Sequence, residues 1–123
     1  LVKDNNCAET TLHAIDDEYH LDLPEEAFKL VAGFGAGLGC GKTCGALCAC
    51  IAALGKMSVG ERAHATPGFK EQCAALVEKF TETLGDTECS ALAQKYKKEE
   101  TRCLDTVMLA ADVFEEFTKE RNT

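Results

Sequence analysis

Tryptophan is absent from this 123-residue chain, and proline and methionine occur only twice each. Nowhere do apolar and polar residues alternate over the length of a strand, so no sheet is expected. The longest apolar stretch, Cys44 to Gly55, falls well short of the roughly 20 residues that span a bilayer, which argues against membrane insertion. Basic residues are few beside acids, 13 against 21, and a net charge of −8 argues against a nucleic-acid partner. No secretory leader is legible at the start, which is Leu1 rather than methionine, and a cytoplasmic location is expected. A CxxC pair, a Ser-His-Asp arrangement and a paired-carboxylate motif are also missing. There is no internal repeat, low-complexity tract or linker, so residues 1–123 read as one domain.

What the chain does have is cysteine. Eight in 123 residues is below the roughly 8–10% of short disulfide scaffolds, and a chain of this length can bury a core without covalent staples. Cysteines in such a protein are expected to be catalytic or metal-binding. Four of them stand where helices should open: Cys7 after Asn5-Asn6, Cys44 after Thr43, Cys89 after Asp86-Thr87 and Cys103 after Thr101. A helix start presents unpaired N–H groups and partial positive charge, which favours the thiolate.

The remaining pattern is helical throughout. Ala8, Leu12, Ile15 and Tyr19 recur at helical spacing and predict an amphipathic helix over about 7–20. Pro24 with Glu25-Glu26 marks a second start, and that helix carries Ala27, Phe28, Val31 and Phe34. It runs into a glycine-rich stretch, residues 33–41, unsuited to any regular element. A third helix, about 43–56, is apolar nearly all round and belongs at the centre of a bundle. Phe69, Cys73, Leu76, Phe80 and Leu84 define a fourth, closed by Gly85. A short helix around 87–96 carries Cys89, Leu92 and Tyr96. The last, about 101–119, has Cys103, Val107, Ala110, Phe114 and Phe117 on one face, with Leu104, Met108 and Ala111 beside it. The expected fold is all-α, a compact bundle of five to six helices with a Gly-rich loop before a buried central helix.

That loop is not a nucleotide site. Gly41-Lys42-Thr43 resembles the end of a P-loop, but Ala36 stands where the first glycine is needed, and no strand precedes it. The dinucleotide pattern fails at Cys40 and Lys42. The glycines more simply bring Cys40 and Cys44 close to another part of the chain.

Asn6-Cys7-Ala8, the Gly33-Phe34-Gly35-Ala36-Gly37 turn, Cys44-Gly45-Ala46 and the single cysteines at 89 and 103 together resemble a known family. It is the group of small proteins, assigned a redox role, named for the cysteine pattern C-GCAxxG-C-C. The resemblance runs from about Asn5 to Phe117. It implies that Cys7, Cys44, Cys89 and Cys103 are the family's recurring cysteines. This chain departs at the last motif glycine, which is Ala49, and adds Cys40, Cys48, Cys50 and Cys73.

Cysteine also serves as a small buried hydrophobe. That is the expected role of Cys73, on the apolar face of its helix, and of Cys50, about 200° round the helix from Cys48. His13 is read as an ordinary boundary residue rather than a base or ligand, and His20 and His64 lie near loops without a nameable partner. Three functional readings remain. In the first, Cys7, Cys44, Cys89 and Cys103 are catalytic in thiol–disulfide or electron-transfer chemistry. A low-pKa thiolate attacks a disulfide and a cysteine from another helix resolves it, with Cys44 as nucleophile, capped by Thr43 and reached through the glycines, and a redox protein as partner. In the second, Cys7, Cys40, Cys44, Cys48, Cys89 and Cys103 supply ligands for a soft metal ion or an iron–sulfur cluster. In the third, the chain is a helical module docking on a larger oxidoreductase, with its cysteines as packing.

Overall fold

Asn6 decides where the first helix begins. Its Oδ1 accepts from the Glu9 N–H (3.1 Å) and the Glu9 carboxylate accepts from the Asn6 N–H (3.1 Å), a reciprocal cap that starts helix α1 at Cys7–Tyr19. The computed structural model describes residues 5–59, 66–97 and 103–121. Among these it contains five further helices: α2 (Glu25–Val31), α3 (Gly45–Ser58), α4 (Phe69–Leu84), α5 (Cys89–Tyr96) and α6 (Leu104–Arg121). A single 3₁₀ turn, Ala32–Phe34, extends α2. No strand occurs among the described residues, and the fold is the expected all-α bundle. His64, Glu99-Glu100 and Thr101 lie outside the described residues.

Helix α3 is the axis. Ala46, Ala49, Cys50, Ala53 and Leu54 are wholly buried, and the helix packs on α1, α2, α4 and α6. Its contact with α1 is the most extensive, because small side chains on both helices, Ala8 among them, let the backbones approach. Ala49, where the resemblance implies a glycine, is fully buried. The predicted start at residue 43 moves to Gly45, since Thr43 is drawn into extended backbone instead.

Phe80, Phe114, Ile15, Leu76 and Leu84 complete the core. Tyr19 locks α1 to α6: its ring meets Phe114 edge-on at 5.5 Å and its hydroxyl pairs with Thr118 Oγ1 at 2.8 Å. Met108, expected beside the buried face of α6, instead turns outward at 58% exposed, and Val113 takes the buried place. Gly85 ends α4 at φ 98°, a left-handed conformation that suits glycine.

Between α2 and α3 the chain makes an irregular loop with positive φ at Ala36, Gly37, Leu38, Gly39 and Gly41. The Lys42 N–H closes it on the Gly37 carbonyl (2.8 Å). Beyond the loop, Thr43 pairs with Glu88 in one antiparallel contact, with the Cys44 N–H donating to the Thr87 carbonyl (2.7 Å) and the Cys89 N–H to that of Lys42. This bridge sets the starts of α3 and α5 side by side.

Candidate functional site

The four cysteines that the resemblance singles out all stand at helix starts. Cys7 and Cys89 are the first residues of α1 and α5. Cys44 is itself the N-cap of α3, where Thr43 had been expected to cap. The Cys103 carbonyl accepts from the Val107 N–H (3.0 Å), the bond that opens α6. Three of these helix starts meet at one pocket of about 190 Å³, lined by Asn6, Cys7, Ala36, Cys89, Ala93, Lys97 and Cys103. Cys44 is not among its lining residues.

Close packing of loop and helix starts explains the convergence. The Asn6 amide donates to the Ala32 carbonyl (2.7 Å), tying the start of α1 to the start of the α2 extension. A Cβ on Gly45 would lie 2.6 Å from the Phe34 carbonyl oxygen and 3.0 Å from Cys7 Sγ, so glycine there lets α3 close on Cys7. A Cβ on Gly37, at φ +62°, would lie 2.5 Å from Cys89 Cβ. Asp86 shapes the turn into α5, its carboxylate accepting from the Thr87 (2.7 Å) and Glu88 (2.9 Å) N–H groups. Lys95 and the Tyr96 hydroxyl both donate to the Leu84 carbonyl, fixing α5 against the end of α4.

The cysteines differ in electrostatics. Cys44 is only 4% exposed. Burial pushes its thiol from the ordinary 9.0 up to about 11. The N–H groups of Leu47 and Ala46 favour its thiolate without forming a cap hydrogen bond, and charge on Cys7 or Cys89 would oppose it. The expected accessible, low-pKa nucleophile at Cys44 is therefore corrected: at this helix start desolvation outweighs the dipole. Cys89 and Cys103 are half-buried and also raised, by burial first and then by neighbouring thiols, Cys103 and Cys7 for the former and Cys7 for the latter. Lys97 pulls both back down. Sequence reasoning missed this lysine. Its signal was the four-residue step Cys89, Ala93, Lys97, which puts three lining residues on one face of α5 and the residue after it.

Cys7 is buried and lies within electrostatic reach of Cys44, Cys48, Cys89 and Cys103. The added cysteines sit elsewhere. Cys40 is exposed in the glycine loop, its thiol near the Gly37 carbonyl (3.8 Å), off the face of Cys44 and Cys48 that an earlier helix start would have given it. Cys48 is half-buried one turn beyond Cys44, with its thiol raised by burial and by Cys7. Cys50 is fully buried, its thiol donating to the Ala110 carbonyl (3.6 Å), and Cys73 packs against the core, as expected of structural cysteines. His13 stacks flat on Phe28 with centroids 3.7 Å apart, a packing role, and His20 ends α1 in a left-handed conformation.

All eight cysteines are free thiols. Among the described residues no three His, Cys, Asp or Glu side chains are placed to hold one metal ion. The donor set of Cys7, Cys40, Cys44, Cys48, Cys89 and Cys103 thus does not fit a soft metal ion or cluster in this arrangement, with Cys40 in the exposed loop.

Fold and site together define an all-α protein whose thiols gather at helix N-termini. The family model described as "Putative redox-active protein (C_GCAxxG_C_C)" matches residues 5–117, nearly the whole chain, and the chain belongs to that family. No curated protein sequence and no solved structure matches it. No helix among the described residues is long and apolar enough to cross a membrane.

Proposed function

We propose that this protein carries out thiol–disulfide exchange, with one of the two Lys97-flanked thiols, Cys89 or Cys103, attacking and Cys7 resolving. The observation that carries this reading is the single pocket shared by Cys7, Cys89, Cys103 and Lys97. The ammonium favours thiolate at both attacking positions, and both are partly open where Cys44 is closed. A thiolate there attacks one sulfur of a disulfide R–S–S–R, forming a mixed disulfide and releasing RS⁻. Cys7 then attacks the protein sulfur of the mixed disulfide and expels the second RS⁻. Two protein thiols are oxidised, one disulfide is reduced, and the two thiol protons pass to the leaving thiolates or to water. Cys44, beside Cys7 across Gly45, can next attack Cys7 and release the outer thiolate, a reversible shift after which the disulfide must be reduced before Cys7 can resolve again. A redox protein of a reducing, cytoplasmic compartment returns the electrons, and residues 1–123 act as one domain.

Trapping tests the assignment. Reduced Cys7→Ser protein treated with a small disulfide should accumulate a mixed disulfide, mapped by peptide mass spectrometry to Cys89 or Cys103. The wild type should pass on to an internal disulfide involving Cys7. No mixed disulfide at Cys89 or Cys103 in the variant, with adducts confined to Cys40 or Cys73 in wild type and variant alike, would remove the reading.

A further inference from the structure

Resting on the exchange reading above, we infer that the disulfide accepted in this pocket is a small molecule bearing an anionic group, held by Lys97, rather than a disulfide on a folded protein. Size is the first argument. A cavity of about 150 Å³ holds a benzene ring, and this pocket, at about 190 Å³, admits a molecule only modestly larger. Cys89 and Cys103, the attacking thiols, are half-buried in its lining, so an incoming sulfur must enter the recess to be attacked. A small molecule does so more readily than a disulfide held between two ordered segments of a protein surface.

Charge is the second argument. Ala36 and Ala93 make apolar walls, and Lys97 is the one ionic side chain among the described lining residues. Asn6, the other polar residue of the lining, has its amide engaged with Ala32 and its carbonyl oxygen with Glu9, so it is already committed to the fold. A carboxylate next to the reacting sulfur would meet the ammonium at the pocket edge. The preference runs against the molecule as a whole, whose net charge of −8 attracts cations and repels anions. An anion preference must then arise locally, and among the described residues of the lining Lys97 is the cation that supplies it.

Three small disulfides of opposite or no charge separate these effects: dithiodiacetate (anionic), bis(2-hydroxyethyl) disulfide (neutral) and cystamine (cationic). Rates of oxidation of the reduced full chain are measured anaerobically at low salt and neutral pH, each relative to the same disulfide reacting with a free small thiol. We expect dithiodiacetate to be favoured over the neutral disulfide, and cystamine disfavoured. In Lys97→Gln the anion-to-neutral ratio should fall about threefold, the worth of one partly exposed ion pair. Taking the ratio cancels any general slowing from weaker thiol ionisation in the variant. Cystamine reacting fastest, or a ratio unchanged in Lys97→Gln, overturns the inference while leaving exchange itself intact. Failure of all three disulfides to oxidise the protein overturns the exchange reading and this inference together.

Discussion

Raising the pH from 8 to 11 should cost the wild-type protein stability that a Cys44→Ser variant does not lose. Burial holds the Cys44 thiol at about 11 in the folded state against an ordinary 9.0. A group whose folded pKa is raised contributes its stability fully below the unfolded value, and loses it as pH rises through the folded one. Between pH 9 and 11 the folded chain therefore binds more protons at this site than the unfolded chain, and stability falls with pH. Two units correspond to about 2.7 kcal/mol in all, of which about 1.4 kcal/mol is gone by pH 10. The other cysteines, lysines and tyrosines titrate over the same range, so the useful quantity is the difference between the two proteins. Urea unfolding at pH 8, 9, 10 and 11, under a phosphine reductant and without oxygen, measures it. Serine will shift the curve by a constant amount, since its hydroxyl enters a closed site, but it will not bend it. Parallel curves for the two proteins would refute the argument, because they would mean that Cys44 ionises as readily folded as unfolded.

Gly45→Ala should destabilise the fold by about 1–3 kcal/mol in urea, since its Cβ meets the fixed Phe34 carbonyl at 2.6 Å; unchanged stability would mean that α3 does not close on Cys7. Asn6→Ala removes a cap and the tether to Ala32, and should lower stability by about 1 kcal/mol, with faster alkylation of Cys7 as its loosened neighbour. In the reduced wild type, iodoacetamide followed by peptide mapping should modify exposed Cys40 first, then Cys89 and Cys103, and Cys44 and Cys50 last; early labelling of Cys44 would reverse the assignment of outer and inner thiols.

The helices were legible because their cause is local. Phe69, Cys73, Leu76, Phe80 and Leu84 step along one face whatever surrounds them, and α4 spans Phe69–Leu84 as that pattern requires. The placement of cysteines at helix starts was legible for the same reason. The burial of Cys44 was not. A glycine-rich approach reads as open, but Gly35 lies against the Asn6 side chain, Gly37 against Cys89 and Gly45 against Phe34. Absence of a side chain there means close contact, and the neighbour that fills the space stands far away in sequence. The Thr43–Glu88 pairing was equally hidden, since a single bridge needs no alternating pattern. Lys97 went unnoticed because a lysine at a helix end is ordinary until a pocket is seen beside it.

The gathering of helix starts from distant parts of the chain ties redox state to mechanical constraint. Cys7 and Cys89 are held at one pocket by the fold, whereas in an unfolded chain roughly 80 residues of loop separate them. A bond between their sulfurs would take about 4.5 kcal/mol of chain entropy from the unfolded ensemble, on the loop-closure model. Linkage makes this reciprocal. Whatever the bond adds to folding, folding adds to the bond, so the native protein holds its oxidised form more tightly than a denatured chain could. Electrons delivered to it would both reset the thiols and loosen the molecule, and a partner that recognises the looser form could read its oxidation state from its resistance to unfolding.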